Sequence, residues 1–280
     1  MSARTVWRQG TNLTSVTGEA VEETIPTIPA ATIVLMHDGK HGLEVLLLRR
    51  NQNARFAPGA YVFPGGRVDP VDGEVAILDR VGGLTTKTAA LRLKLTGSQP
   101  PAIAYYVAAL REAFEESGIL VALRADGSIP PTAAENKSVR TLREDLMAGR
   151  IHFKDVLVEM DCRLSGNALQ YVAHWITPVS WPVRFDTHFF AAQLPDKREY
   201  LVDRREMTEG LWITPDNAIR RHEAGSLPMI LPTITMLERL TTYERTEEAL
   251  AALAKEQVRP VLPVTDTTPA DLRRQHAMPS

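Results

Sequence analysis

Arg111-Glu112-Ala113-Phe114-Glu115-Glu116-Ser117-Gly118-Ile119 is the stretch on which the reading of this chain turns. On an α-helix, positions 112, 115 and 116 project from one side, because three and four residues each make close to one turn. Three carboxylates crowded there repel one another, and a hard divalent cation with oxygen ligands is the usual relief. A glutamate run by itself is more often a solvated face, with Arg111 pairing Glu115 one turn on. The flanks argue for more than that. Ser98, Pro100 and Pro101 mark a helix start, apolar residues 102–110 lead into the acids, and Gly118 stands where a left-handed C-cap belongs. The acids then occupy the last turns, where the helix dipole disfavours negative charge. A positive partner is expected nearby, yet no basic run follows.

Upstream stands Phe63-Pro64-Gly65-Gly66-Arg67-Val68-Asp69-Pro70-Val71-Asp72. Gly65 and Gly66 let the backbone turn and approach a ligand with no Cβ in the way. The two segments resemble the two ends of a Nudix box: a glycine, five residues, an acid, seven residues, then the Arg-Glu and Glu-Glu pairs and a glycine. Gly66 plus five residues reaches Asp72, and the second half matches from Arg111 to Ile119. Asp72 replaces the common glutamate, and Ala113 takes the place of a larger aliphatic residue. Between Asp72 and Arg111 lie 38 residues instead of seven, an insertion of 31. With residues 104–110 as the spacer, the insertion is 73–103, which must loop out and return. Loop closure grows only logarithmically with length, so the detour is tolerable.

A second match lies just before the box. Leu46-Leu47-Leu48-Arg49-Arg50-Asn51, then Arg55, Gly59 and Phe63-Pro64-Gly65-Gly66, resembles in its spacing the coenzyme A motif of CoA diphosphatases. Leu48 stands where that motif has Thr, and Asn51 where it has Ser or Ala. Residues 175–178 and 184–190, together with the insertion, are similar to the acyl-CoA diphosphatase branch called nucleoside diphosphate-linked moiety X motif 19. The resemblance covers roughly residues 30 to 225.

It implies an α/β/α sandwich with a mixed β-sheet, a helical insertion inside the box and a helical C-terminal extension. It also implies an enzyme that cuts the diphosphate of coenzyme A or an acyl-CoA with Mg²⁺ or Mn²⁺. Glu112, Glu115 and Glu116 would hold the metal, with a carbonyl of Gly65 or Gly66 as an added ligand, and Arg111 would position a glutamate. A further acid from a distant loop often completes such sites, and Glu206 and Glu209 are the candidates. Coenzyme A carries a diphosphate and a separate 3′-phosphate, so it demands fixed cations. The planar fork of arginine suits phosphate, which singles out Arg50 and Arg55. The same chemistry on ADP-ribose, a nucleotide sugar or a dinucleotide is the alternative, and an idle nucleotide-binding module is a third.

Composition is that of an ordinary globular protein: 280 residues, 44% apolar and 24% charged. A net charge of −2 gives no general attraction to nucleic acid or an anionic membrane. The expected partner is a small diphosphate, with a homodimer left open. Cys162 is the single cysteine, which excludes an intrachain disulfide and a cysteine zinc site, and points to a cytoplasmic setting. Residues 1–14 are too polar for a signal peptide, and no apolar run nears the ~18 residues of a membrane span.

The domain reading is a polar arm at 1–29, a Nudix domain at 30–225 and a C-terminal extension at 226–280 ending in an irregular tail. Residues 31–36 and 43–49 read as a hairpin, 61–63 as a short strand feeding the glycine turn, and 74–81 and 88–95 as helices within the insertion. Further strands are expected near 119–123, 171–176, 188–193 and 209–213. Helices are expected at 138–147, 153–160, 215–223, 232–240 and 246–255. Residues 83–88 resemble a phosphate-binding loop but lack the glycine before the lysine, and are dismissed. His174 and His188, in apolar strands, are read as hydrogen-bonded core or sheet-surface histidines. Phe189, Phe190, Trp175, Trp181 and Trp212 are read as core, with one ring free to line an adenine pocket.

Overall fold

The computed structural model describes residues 25–263. Two of the expected segments reach beyond them: most of the N-terminal arm and the end of the tail lie outside the described residues. The chain opens with strands β1 (Thr27–Gly39) and β2 (Gly42–Arg50), which form the expected hairpin. Gly42 takes a φ of 106° at the turn, a conformation that favours glycine. Two short strands follow, β3 (Tyr61–Val62) and β4 (Gly65–Arg67). The insertion carries α1 (Val75–Leu78), β5 (Val81–Gly82) and α2 (Thr86–Leu93), and leads into the acid-bearing helix α3 (Ala102–Ser117). Then come β6 (Ala122–Arg124), α4 (Lys137–Met147), α5 (Phe153–Glu159) and β7 (Cys162–Ser165). The long strands β8 (Gln170–Ile176), β9 (Arg184–Gln193) and β10 (Met207–Ile213) complete the main sheet. Helices α6 (Pro215–Glu223), α7 (Leu231–Leu240) and α8 (Thr246–Leu253) and a last strand β11 (Pro260–Val261) close the chain.

The main sheet runs β10-β2-β1-β9-β8-β11, with β3 on β2 and β4 on β1. It is mixed, as expected: β1 pairs β9 in parallel and β2 antiparallel. A central strand covered on both faces must be apolar almost continuously, and β1 is. Its Ala31, Ile33 and Leu35 pack toward α3, while Val34 and Met36 pack toward α6, α7 and α8. The result is the α/β/α sandwich. The helices after residue 225 are therefore one of its outer layers, and the Pro260–Val261 pair hydrogen-bonds β8 where an irregular tail was expected.

Helix α3 is buried on nearly every side, which an all-round apolar sequence such as Ala102–Leu110 dictates. One side meets the sheet. The other is covered by the insertion, through Ile77, Leu84, Ala89 and Leu93, and by α4 and α5. A second sheet, β5-β7-β6, stitches the insertion to the segment after α5. Gly118 has the left-handed φ of 72° expected of the C-cap, and its N–H bonds Phe114 O. Among the described residues, no helix is long and apolar enough to cross a membrane.

Candidate active site

The two halves of the box meet. Asp72 is fully buried and grips Arg111 with both oxygens, Nε to Oδ1 at 2.9 Å and Nη2 to Oδ2 at 3.0 Å. Arg111 Nη2 also donates to Arg67 O at 2.8 Å, which fixes the turn after β4 against the helix. Its remaining nitrogen, Nη1, reaches Glu112 Oε1 at 2.8 Å and Glu115 Oε2 at 3.3 Å. Arg111 is only 4% exposed, so it holds carboxylates and has no free face for a ligand. The 31-residue detour is closed by this clamp, as the two-ended reading of the box requires.

Strand β4 lies along β1, with Gly65 opposite Thr32 and Gly66 opposite Ala31. That pairing is what places the glycines under α3. Gly65 N–H donates to Glu116 Oε2 at 3.0 Å. A Cβ on Gly66 would come within 2.4 Å of Glu112 Oε1, so the carboxylate fills the space a side chain would take.

All three acids are shifted above the ordinary carboxylate range. Burial pushes Glu112 up to about 7, aided by Glu115 and opposed by Arg111. Burial and then Glu112 push Glu116 well above the carboxylate range, against the Gly65 N–H and Arg50. Glu115 is raised by burial, which outweighs Arg111. Such a set is costly as bare anions, and its all-oxygen donors suit a hard cation better than zinc or copper. The residues present therefore fit a hard divalent cation.

The acids form one end of a cavity of about 1040 Å³. Arg50 and Arg55 both line it, and Arg50 Nε is anchored on Phe56 O at 3.0 Å. Glu206 lies on its rim and is exposed. Glu209 is not brought to it. The stagger of β10 turns Glu209 toward the other face, where Tyr61 donates to it at 2.9 Å and Arg49 Nη1 stands 3.6 Å away. The cavity lining is rich in aromatic rings, Phe56, Phe63, Trp175, Trp181, Phe185 and Phe189. Trp212 instead packs on His37, and Phe190 is core.

Several contributors escaped the sequence reading. Arg205 and the start of α7, residues 230–233, line the same cavity. The positive partner expected at the end of α3 is Arg143 of α4, whose guanidinium donates to Phe114 O and Glu115 O, each at 2.9 Å from Nε. A signal was there to find it: Arg143 falls four residues after Val139 on the helix face that also carries Leu142 and Leu146.

This fold and this arrangement of a glycine turn, a buried Arg–Asp clamp and a glutamate triplet are those of Nudix hydrolases. A crystal structure of a Nudix hydrolase from Alicyclobacillus acidocaldarius superposes with a TM-score of 0.66 at 28% identity, over 83% of this chain and 99% of that one. The family model described as the NUDT19 Nudix domain matches residues 7–240, and the chain belongs to that family. Similar proteins include the acyl-coenzyme A diphosphatase NUDT19 of Xenopus laevis, 29% identical over 231 residues, and that of Homo sapiens, 26% identical over 270. The matches cover 71% and 85% of this chain, and span 60% and 69% of the length of those relatives.

Proposed function

We propose that this chain hydrolyses the diphosphate bond of coenzyme A or an acyl-CoA, releasing adenosine 3′,5′-bisphosphate and 4′-phosphopantetheine or its acyl form. The observation that carries this is the cavity itself, whose lining combines the carboxylate cluster, arginines that include Arg50, Arg55 and Arg205, and aromatic rings that include Phe56, Trp175 and Phe189. A CoA-like molecule has the matching sequence of parts: a diphosphate, a further phosphate, and a flat base with a long arm. The names of the NUDT19 relatives support the same substrate class.

Glu112, Glu115 and Glu116 would hold Mg²⁺ or Mn²⁺. Once bound, the ion supplies charge neutralisation at the diphosphate and activation of water. The remaining work falls to the chain. Arg111 keeps Glu112 and Glu115 aimed, Gly65 N–H keeps Glu116 in place, and Arg50, Arg55 and Arg205 offer planar donors to phosphate oxygens. Glu206, exposed at the rim, is the candidate to take up a proton from the attacking water. The single cysteine supports a cytoplasmic setting for this work.

The test is a panel of CoA, an acyl-CoA, dephospho-CoA, ADP-ribose and a dinucleotide with Mg²⁺ or Mn²⁺, products read by mass, beside Glu116→Gln. CoA or acyl-CoA should turn over best, dephospho-CoA clearly worse, and the variant should be inactive. Equal turnover of dephospho-CoA would remove the role of the 3′-phosphate and favour the ADP-ribose or dinucleotide reading. Binding without turnover in wild type would leave an idle module.

A further inference from the structure

Strands β8 and β9 bring three ligating side chains together on the sheet face away from the cavity. His174 and His188 are direct cross-strand partners, and Asp186, two residues before His188, shares their face. Phe185, Thr187 and Phe189 of the same strand line the cavity, so the two-residue alternation turns this group to the opposite face of the sheet, where it packs on Tyr105 of α3, about two helical turns before Glu112. One ligand atom from each of the three lies within 4.8 Å of the others. His174 Nε2 is hydrogen-bonded to Asp186 Oδ1, and His188 Nε2 stands 3.8 Å from the same oxygen.

His188 is the anomaly. It is fully buried, and neither ring nitrogen has a hydrogen-bond partner among the described residues. A buried polar group left unpaired costs about 1–3 kcal/mol, and cores avoid it unless something else satisfies the group. The rings of His174, Tyr105 and Tyr171 pack around it with centroids at 4.1, 4.6 and 5.4 Å, an environment a phenylalanine would fill without that penalty. Burial and the neighbouring His174 hold His188 down at about 3, which keeps its lone pair free at neutral pH. Burial pushes the Asp186 carboxyl up, but its bond to His174 and electrostatic attraction to His174 and His188 together bring it below the ordinary carboxylate range.

We propose that His174, Asp186 and His188 form a second metal site, for a borderline divalent transition ion of the zinc type. Two imidazoles and one carboxylate are a zinc ligand set that leaves a fourth position for water, whereas Mg²⁺ favours oxygen alone. The side chains of His174 and Asp186 are 14% and 29% exposed, which opens a way in from solvent, and His188 closes the back. Ligation moves the His174 proton from Nε2 to Nδ1 and breaks no bond of His188, which has none. The site is structural: it ties β8 to β9, and none of its three side chains lines the cavity.

The full chain, stripped by chelation, is titrated with Zn²⁺ in a large excess of Mg²⁺, with Co²⁺ absorption and thermal melting as further readings. One equivalent of Zn²⁺ that Mg²⁺ does not displace, a raised melting temperature and the intense visible bands of a low-coordinate Co²⁺ are expected. His174→Gln and Asp186→Asn, at partly exposed positions, should each weaken Zn²⁺ on the order of 100-fold. Glu112→Gln should leave it unchanged. No Mg²⁺-resistant Zn²⁺ in wild type overturns the proposal. So does unaltered affinity in both folded β8–β9 variants, or loss of Zn²⁺ through Glu112→Gln alone. Should the variants fail to fold, the wild-type Co²⁺ spectrum decides: weak octahedral bands overturn the site and intense ones support it.

Discussion

Arg111 satisfies Asp72, Glu112 and Glu115 at once from a position with almost no solvent. Removing one member of a buried ionic group strands the others, typically for 3–5 kcal/mol. Arg111→Met is therefore expected to lower unfolding free energy by about 3–5 kcal/mol in a denaturant titration, with loss of turnover beyond what unfolding explains. Gly66→Ala acts differently. The backbone there needs no left-handed φ, so the fold should survive, but the new methyl must displace the Glu112 carboxylate by an ångström or so. A misplacement of that size costs roughly 100-fold in rate. Turnover should fall by about that factor while the circular dichroism spectrum and melting temperature hold near wild type.

Helix α3 ends in three acids against its own dipole, and Arg143 answers from α4 by donating to its last carbonyls. Hydrogen bonds from a charged donor contribute about 1.5–3 kcal/mol, so Arg143→Met should lower the denaturant midpoint by an equivalent of about 2–3 kcal/mol. This contact also marks where sequence reading stopped. The hairpin was legible from two apolar runs around a glycine-bearing turn, α3 from its apolar run between Pro101 and Gly118, and α6 and α7 from the prolines at their first turns. The three clustered acids of α3 were legible because their spacing on a helix is fixed. Arg143 was hidden by distance along the chain. Glu209 looked equivalent to Glu206, three residues away, until a bulge in β10 turned one to the rim and the other to Tyr61. Strand β7 is too short for its pattern to register. β9 begins at Arg184, ahead of its apolar stretch, because Arg184 is held by Thr177 O and Ile25 O and not by a hydrophobic face.

Across the whole molecule the buried acids couple folding to pH. Burial raises Glu112, Glu115 and Glu116 above their unfolded values, Glu112 to about 7, so the native chain holds more protons than the unfolded chain as pH climbs past 4.5. Stability then falls as pH rises through that window. Chelated protein should melt at progressively lower temperature from about pH 5 to about pH 7.5, Glu112→Gln should flatten the decline, and added Mg²⁺ should reverse it. Mg²⁺ addition near pH 6 should also release protons, read as a dependence of the binding heat on buffer ionisation enthalpy.

The excursion through residues 73–103 is more than an ornament hung on the box. Its own apolar side chains wall in α3, and the Asp72–Arg111 pair pins its two ends together. Between α2 and α3 it surfaces as an exposed turn, where Gly97 has open space around it. A single protease nick there would leave two polypeptides, one bearing the glycine turn and the other the glutamates, locked by a shared interior and a buried ion pair. Those halves should copurify under native conditions and part only in denaturant, so that severing the covalent thread leaves the catalytic assembly whole.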